Sequence, residues 1–203
     1  MGSNAYLLPD YASVEMQEHP ELRGKSIAVC GDPEARHGIV LTASYPAKRV
    51  GVKTGMPIWE AKQHCRDLII VPASYGKYQK YSGYVREVFN DYTDQVESFG
   101  LDEAWLDITG SVGLFGSPVK IAKEISVRIK RELGITVSIG VSFNKITAKL
   151  GSDYKKPDAI TVIEPDTYKQ IVYPLPVGDL LYVGNATQRK LGSYGIRTIG
   201  QLA

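Results

Sequence analysis

The stretch from Gln95 to Thr109 restricts the folds open to this chain more than any other. Two runs of strand-forming residues, Gln95-Val96-Glu97-Ser98-Phe99 and Trp105-Leu106-Asp107-Ile108-Thr109, flank Gly100-Leu101-Asp102-Glu103-Ala104. Such runs around a short glycine-containing segment read as a β-hairpin, so a sheet containing that hairpin is the minimum architecture. At its turn Asp102 and Glu103 stand side by side. Hard divalent cations such as Mg²⁺ take oxygen ligands and bind through one or two carboxylates plus substrate phosphates. A carboxylate pair on a strand-turn-strand therefore suits phosphoryl or nucleotidyl transfer. In isolation such a pair is more often a solvated acidic turn, and the surrounding chain has to decide.

Hydrophobic periodicity and turn residues organise the rest. Tyr11 to Glu18 reads as a short helix closed by His19-Pro20. Ile27 to Cys30 and Gly38 to Ala43 read as strands separated by a polar loop from Gly31 to His37. Tyr45 to Val50 and Pro57 to His64 read as short helices, Pro57 sitting in a first helical turn where its missing N–H is tolerated. Leu68 to Val71 is a strand. The spacing of Tyr78, Tyr81, Val85 and Phe89 predicts a long helix from Tyr75 to Tyr92, its tyrosine stripe packing into the core. After the hairpin, Ser117-Pro118 opens a helix with Ile121, Ile125, Ile129 and Leu133 on one face, ended by Gly134. Ile135 to Val141 alternates as a strand, Phe143 to Asp153 reads as a helix, and Ile160 to Ile163 as a last strand. The tail after Glu164 reads as helical. Helix, hairpin, helix, strand, helix, strand is an α+β order: a mostly antiparallel, ferredoxin-like sheet with helices packed on it.

Composition excludes several classes. With 203 residues, 43% hydrophobic and 23% charged, the chain is an ordinary globular protein large enough for one large domain or two to three small ones. A net charge of +2 neither demands nor excludes nucleic acid. The two cysteines, Cys30 and Cys65, lack metal or disulfide spacing, and a reducing cytoplasm is the expected compartment. No apolar run has membrane-spanning length. His19, His37 and His64 share no metal-like spacing, and the sequence holds no repeat, P-loop, nucleophile elbow or dinucleotide fingerprint. Residues 1–5 read as an expression scar.

Three further stretches carry chemistry. Thr42 to Val52 sets a hydroxyl, the Tyr45 phenol, Lys48 and Arg49 after a strand and into a helix start, an arrangement suited to phosphate. Lys155-Lys156-Pro157-Asp158 is a second cationic turn, where Lys156 would act as a compact charge toward a triphosphate. Leu181 to Leu191 followed by Tyr194-Gly195-Ile196 reads as a helix-hairpin-helix, whose backbone amides near Gly184 can hold a DNA phosphate without reading sequence.

Taken together and in order, these stretches resemble the Y-family translesion DNA polymerases, the bacterial DNA polymerase IV branch in particular. The matching segments are Tyr11-Ala12-Ser13-Val14-Glu15, Thr42 through Pro57, Leu101 through Asp107, Ser138 through Lys145, Lys155 through Asp158, and the helix-hairpin-helix. The resemblance implies fingers over residues 11–73, a palm over 74–164 with 6–10 as the remnant of its first strand, and a partial thumb over 165–203, without the family's little finger. It implies template-directed, error-prone DNA synthesis in lesion bypass, on primer-template DNA and a dNTP, by a monomer with a possible sliding-clamp partner. Asp102 and Glu103 would be the catalytic carboxylates on two Mg²⁺ ions, which Mn²⁺ can replace. Tyr45, Lys48 and Lys156 would hold the triphosphate, with Thr42 beside them, Leu41 near the nascent base pair and Tyr11 as the steric gate. Gly184, Thr187 and Lys190 would meet DNA, and Asp107 would be structural.

The chain departs from that pattern at four places. The family carries a metal-binding Asp five residues before the gate, where this chain has Tyr6; Asp10 is the nearest acid. Lys48 stands where many members have Arg, and Tyr182 replaces a hairpin glycine. The absent little finger is the fourth. Tyr6 motivates an alternative expectation, a non-catalytic polymerase-like DNA-binding or scaffold protein. A palm-type nucleotide cyclase is a third, from the likeness of Gly100-Leu101-Asp102-Glu103 to a cyclase turn.

Overall fold

A computed structural model of the protein describes residues 4–9 (backbone only), 11–31 and 38–203. Asp10, His37 and most of the polar loop expected from Gly31 to His37 lie outside the described residues. In chain order the elements are β1 (Asn4–Pro9), α1 (Tyr11–Glu18), β2 (Ile27–Cys30), β3 (Val40–Ala43), α2 (Tyr45–Arg49), α3 (Ile58–His64), β4 (Ile69–Pro72) and α4 (Tyr75–Asn90). There follow β5 (Val96–Phe99), β6 (Glu103–Asp107), α5 (Val112–Phe115), α6 (Pro118–Leu133), β7 (Val137–Ser142), α7 (Lys145–Tyr154) and β8 (Ile160–Ile163). The tail holds α8 (Tyr168–Val172), α9 (Asn185–Ser193) and α10 (Ile199–Leu202).

Side-chain chemistry at element ends explains most boundaries. Asn144 caps α7 by accepting the Thr147 N–H at 2.9 Å. Thr198 and Gln201 form a reciprocal capping box that starts α10. Two expectations are corrected. Pro57 stands just outside α3, as its N-cap at φ −59° and ψ 146°, rather than in the first turn. The second hairpin strand begins at Glu103 and stops at Asp107 instead of running from Trp105 to Thr109. It stops there because the Asp107 carboxylate accepts the Thr109 N–H at 2.9 Å and the Thr109 hydroxyl at 2.5 Å, which turns the chain.

The chain divides into two compact units. One comprises Met1–Leu8, Arg86–Glu132 and Val137–Ala203. Its sheet, among the described residues, has the strand order β5-β6-β1-β7-β8. β6 pairs antiparallel with both β5 and β1, whereas β7 and β8 run parallel. The α+β class holds, but the antiparallel character is confined to one side. A parallel pair needs a crossover, and α7 supplies it. Ile121, Ile125 and Ile129 are fully buried on one face of α6, each burial contributing roughly 2 kcal/mol.

Two glycines bring α7 close onto β7. A β-carbon at Gly140 would overlap the Ala148 carbonyl oxygen, and one at Gly151 would lie 3.1 Å from the Gly140 Cα. Trp105 of β6 ties the same helix to the hairpin, its Nε1 donating to the Lys145 carbonyl at 3.1 Å.

The other unit comprises Pro9–Val85 and Leu133–Thr136. β2 pairs antiparallel with β3 and parallel with β4. Ala28, Cys30, Val40, Ala43, Ala47, Val52, Ala61 and Leu68 form its core. Burial pushes the Cys30 thiol up to about 11, so it stays protonated. The tyrosine stripe of α4 packs inward as expected, with Tyr78 and Val85 buried in this unit and Tyr81 half-buried; Phe89, further along the helix, is buried in the first unit.

Candidate active site on the β5–β6 hairpin

Phe99 of β5 pairs with Glu103 of β6, so Gly100, Leu101 and Asp102 form a three-residue connection. Gly100 takes φ +72°, a left-handed conformation that glycine adopts without steric cost. Its carbonyl accepts from the Arg86 guanidinium at 3.2 Å, which pins the turn. Asp102 and Glu103 are both half-buried. Glu103 Oε1 accepts from Lys149 Nζ at 3.2 Å, and the same ammonium lies 2.8 Å from Asp153. Asp153 in turn holds Lys156 at 2.5 Å. Glu103, Lys149, Asp153 and Lys156 thus form a ladder of alternating charge, joining one expected metal carboxylate to one expected triphosphate lysine.

The electrostatics follow from that ladder. Burial pushes the Glu103 carboxyl above its ordinary value, and the attraction and hydrogen bond of Lys149 only partly offset it. Burial also works against ionised Asp153, but hydrogen bonds from Lys149 and Lys156 outweigh it and hold that carboxyl below its usual range. Asp107 is lowered by its two hydrogen bonds from Thr109, in keeping with a structural role.

Among the described residues no three His, Cys, Asp or Glu side chains are grouped to hold a metal ion by themselves. The adjacent carboxylates fit the other kind of Mg²⁺ site, in which one or two carboxylates share the ion with substrate phosphates. The position expected to supply a third carboxylate is in the neighbouring strand. Tyr6 of β1 stands in register with Trp105 of β6, two residues from Glu103.

The expected DNA contacts are in the tail of this unit. Gly184 is the N-cap of α9 at φ −76° and ψ 175°, its carbonyl accepting the Gln188 N–H at 2.9 Å. Thr187 and Lys190 are exposed on that helix.

The remaining expected nucleotide residues belong to the other unit. Thr42 is on β3, in register with Val29, and half-buried, as is Leu41. Lys48 places its ammonium 4.8 Å from the centre of the Tyr45 ring, a cation–π contact that fixes both on one face of α2. Tyr11 stacks on Tyr78 at 4.3 Å with planes 6° apart. Behind it Tyr78 Oη and Lys77 Nζ donate to buried Glu15 at 2.6 and 2.7 Å, so the Tyr11 ring rests on a braced surface.

The sequence pattern of the impB/mucB/samB family matches residues 9–153. The chain belongs to that family. It is a Y-family, DNA-polymerase-IV-like chain, classed at family level with the DNA-directed DNA polymerases. It is 58% identical over 193 residues to DNA polymerase IV of Acetivibrio thermocellus, covering 95% of this chain and 48% of that protein. DNA polymerase IV 1 of Bacillus subtilis is 45% identical over 95% of this chain and 46% of its own length. The crystal structure of DinB from Sulfolobus solfataricus superposes with a TM-score of 0.87 at 33% identity, covering 97% of this chain and 58% of that one. The chain therefore spans about half the length of the curated relatives it matches. Among the described residues no helix is long and apolar enough to cross a membrane.

Lys149 and Asp153 belong to no motif, and in the sequence Phe143 to Asp153 reads simply as a helix. Their i, i+4 spacing, with Lys156 three residues further, is the signal that could have found them.

Proposed function

We propose that this chain is the fingers (11–73), palm (74–164) and partial thumb (165–203) of a template-directed DNA polymerase that works in lesion bypass, in the cytoplasm and as a monomer. The observation that carries the reading is the Asp102–Glu103 turn on a sheet whose next strand is β1, in a chain that belongs to the family. Asp102 and Glu103 hold Mg²⁺, with Mn²⁺ as a substitute. Held there, such ions would supply the means to lower the pKa of a primer 3′-hydroxyl and to neutralise charge on the transferring phosphate and departing pyrophosphate. Lys149 holds Glu103 in place, Asp153 orients Lys156 toward a dNTP triphosphate, and Arg86 keeps the turn rigid.

Tyr45 and Lys48 are triphosphate contacts, with Thr42 beside them and Leu41 near the base pair. The braced ring of Tyr11 excludes a ribose 2′-hydroxyl. Gly184, Thr187 and Lys190 meet primer-template DNA, and a sliding clamp would bind through sequence outside these 203 residues.

By itself the chain has little or no activity, because a Tyr6 phenol cannot replace a carboxylate on Mg²⁺. Tyr6 in register beside the hairpin also favours a second reading, a polymerase-like DNA-binding protein without catalysis. Primer extension separates the two. A longer chain carrying these residues and an Asp at position 6 adds templated nucleotides in Mg²⁺ and loses that ability with Asp102→Ala. Failure to extend, or extension indifferent to Asp102, refutes the polymerase reading. Robust extension by the 203-residue chain refutes the statement about Tyr6.

A further inference from the structure

Tyr182 is placed where neither packing nor backbone geometry calls for a tyrosine. Its φ is +69°, a left-handed conformation that a β-carbon disfavours and glycine accepts freely. The residue is 81% exposed, so burial does not account for the ring. The ring is nonetheless held in place. It stands edge-on to Phe99, with centroids 6.4 Å apart and planes at 82°. Phe99 in turn lies 5.1 Å from the ring of buried Trp105. The three rings form a ladder from the β6 interior out to the tip of the hairpin before α9.

Two features of the same tail indicate what the ring meets. From Leu180 to Ala203 the chain carries Arg189, Lys190 and Arg197 and no carboxylate, a run of single-sign charge that attracts a polyanion. A second exposed ring, Tyr194 at 73% exposure, ends α9. Exposed aromatic faces interleaved with cations are the composition of sequence-tolerant nucleic-acid contact, in which bases or sugars pack on rings while phosphates meet positive charge.

We propose that the Tyr182 ring is itself a DNA contact, packing against the deoxyribose of a nucleotide in the strand held at the α9 hairpin. The inference deepens the DNA-binding reading of the tail and rests on it. A glycine here would only allow close approach of backbone to phosphate. The tyrosine adds an apolar platform braced from behind by Phe99.

The test compares wild-type, Tyr182→Gly and Tyr182→Phe chains, measuring binding to a fluorescein-labelled primer-template duplex by anisotropy at several salt concentrations, alongside thermal melting. Tyr182→Gly relieves the left-handed backbone while losing the Phe99 contact, so its melting temperature stays within a few degrees of wild type. Its DNA affinity falls by about 5-fold or more, the lower end of a lost ring–nucleotide contact. Tyr182→Phe keeps the ring and binds within about 2-fold of wild type. A Tyr182→Gly chain that binds as tightly as wild type, or more tightly, overturns the proposal while leaving the tail a DNA-binding element. Absence of salt-dependent DNA binding by the wild-type chain overturns the DNA-binding reading and the role of Tyr182 with it.

Discussion

Glu15 and Glu103 are both withdrawn from water, and they are held in opposite ways. Glu15, in the unit built on β2, is 1% exposed, with Tyr78 donating to one carboxylate oxygen and Lys77 to the other. Glu103, in the unit built on β6, is only half-buried. Its one hydrogen bond among the described residues comes from Lys149 at 3.2 Å, an ammonium it shares with Asp153. A carboxylate with a tight donor on each oxygen is suited to bracing a fold and keeps fewer lone pairs for a cation. A carboxylate with one shared donor, next to a second carboxylate on a rigid turn, keeps oxygen lone pairs for chemistry. If Glu103 is the metal ligand proposed above, what sets it apart from Glu15 is not burial alone but how many donors each already accepts from.

The largest expected effect breaks the support on the Glu103 side. Gly140→Ala drives a β-carbon into the α7 backbone, so helix and strand must separate and carry Lys149 away from Glu103. Destabilisation of about 3 kcal/mol or more is expected in urea unfolding, with Gly151→Ala costing about 1 kcal/mol. On the Glu15 side, Glu15→Ala strands the Tyr78 hydroxyl and the Lys77 ammonium, at a cost of about 3 kcal/mol. Tyr78→Phe removes one hydrogen bond to the charged group and costs about 1.5 kcal/mol. Equal stabilities for Glu15→Ala and wild type would dissolve the comparison.

The smallest effect is in the pH dependence. The Asp153 carboxyl is held low in the folded state, so it contributes stability above its ordinary unfolded value, about pH 4, and loses it as pH falls through the lowered folded value. Asp153→Asn removes that contribution. Wild type and variant should converge in melting temperature as pH drops below about 4; a constant gap would show that Asp153 is not held by Lys149 and Lys156.

Local signals made most elements legible. Tyr11–Glu18, Ile27–Cys30 and Ile160–Ile163 fall where turn residues and apolar runs place them, and the Ile121, Ile125, Ile129 spacing marked the buried face of α6. The hairpin was visible because strand formers flank a glycine turn. Its far end was misread because Ile108-Thr109 has strand propensity but the Asp107 side chain captures Thr109. The parallel β7–β8 pair shows in the sequence only as the order strand, helix, strand over residues 135–163, since direction is set by the α7 crossover and not by residues within the strands. The ion-pair ladder escaped for a related reason: Glu103 and Lys149 are 46 residues apart and meet only because Gly140 and Gly151 let α7 close on β7.

The contrast between the two glutamates can be measured in one assay: single-nucleotide addition in Mg²⁺ by a longer chain carrying these residues and Tyr6→Asp, with rates normalised to the folded fraction. Glu103→Gln should melt within a few degrees of the parent and add nucleotide on the order of 10³-fold more slowly, the loss of several kcal/mol of transition-state stabilisation. Glu15→Gln should melt at a lower temperature, while its folded fraction extends at the parental rate. Parental extension by Glu103→Gln, or lost extension by folded Glu15→Gln, would contradict the account.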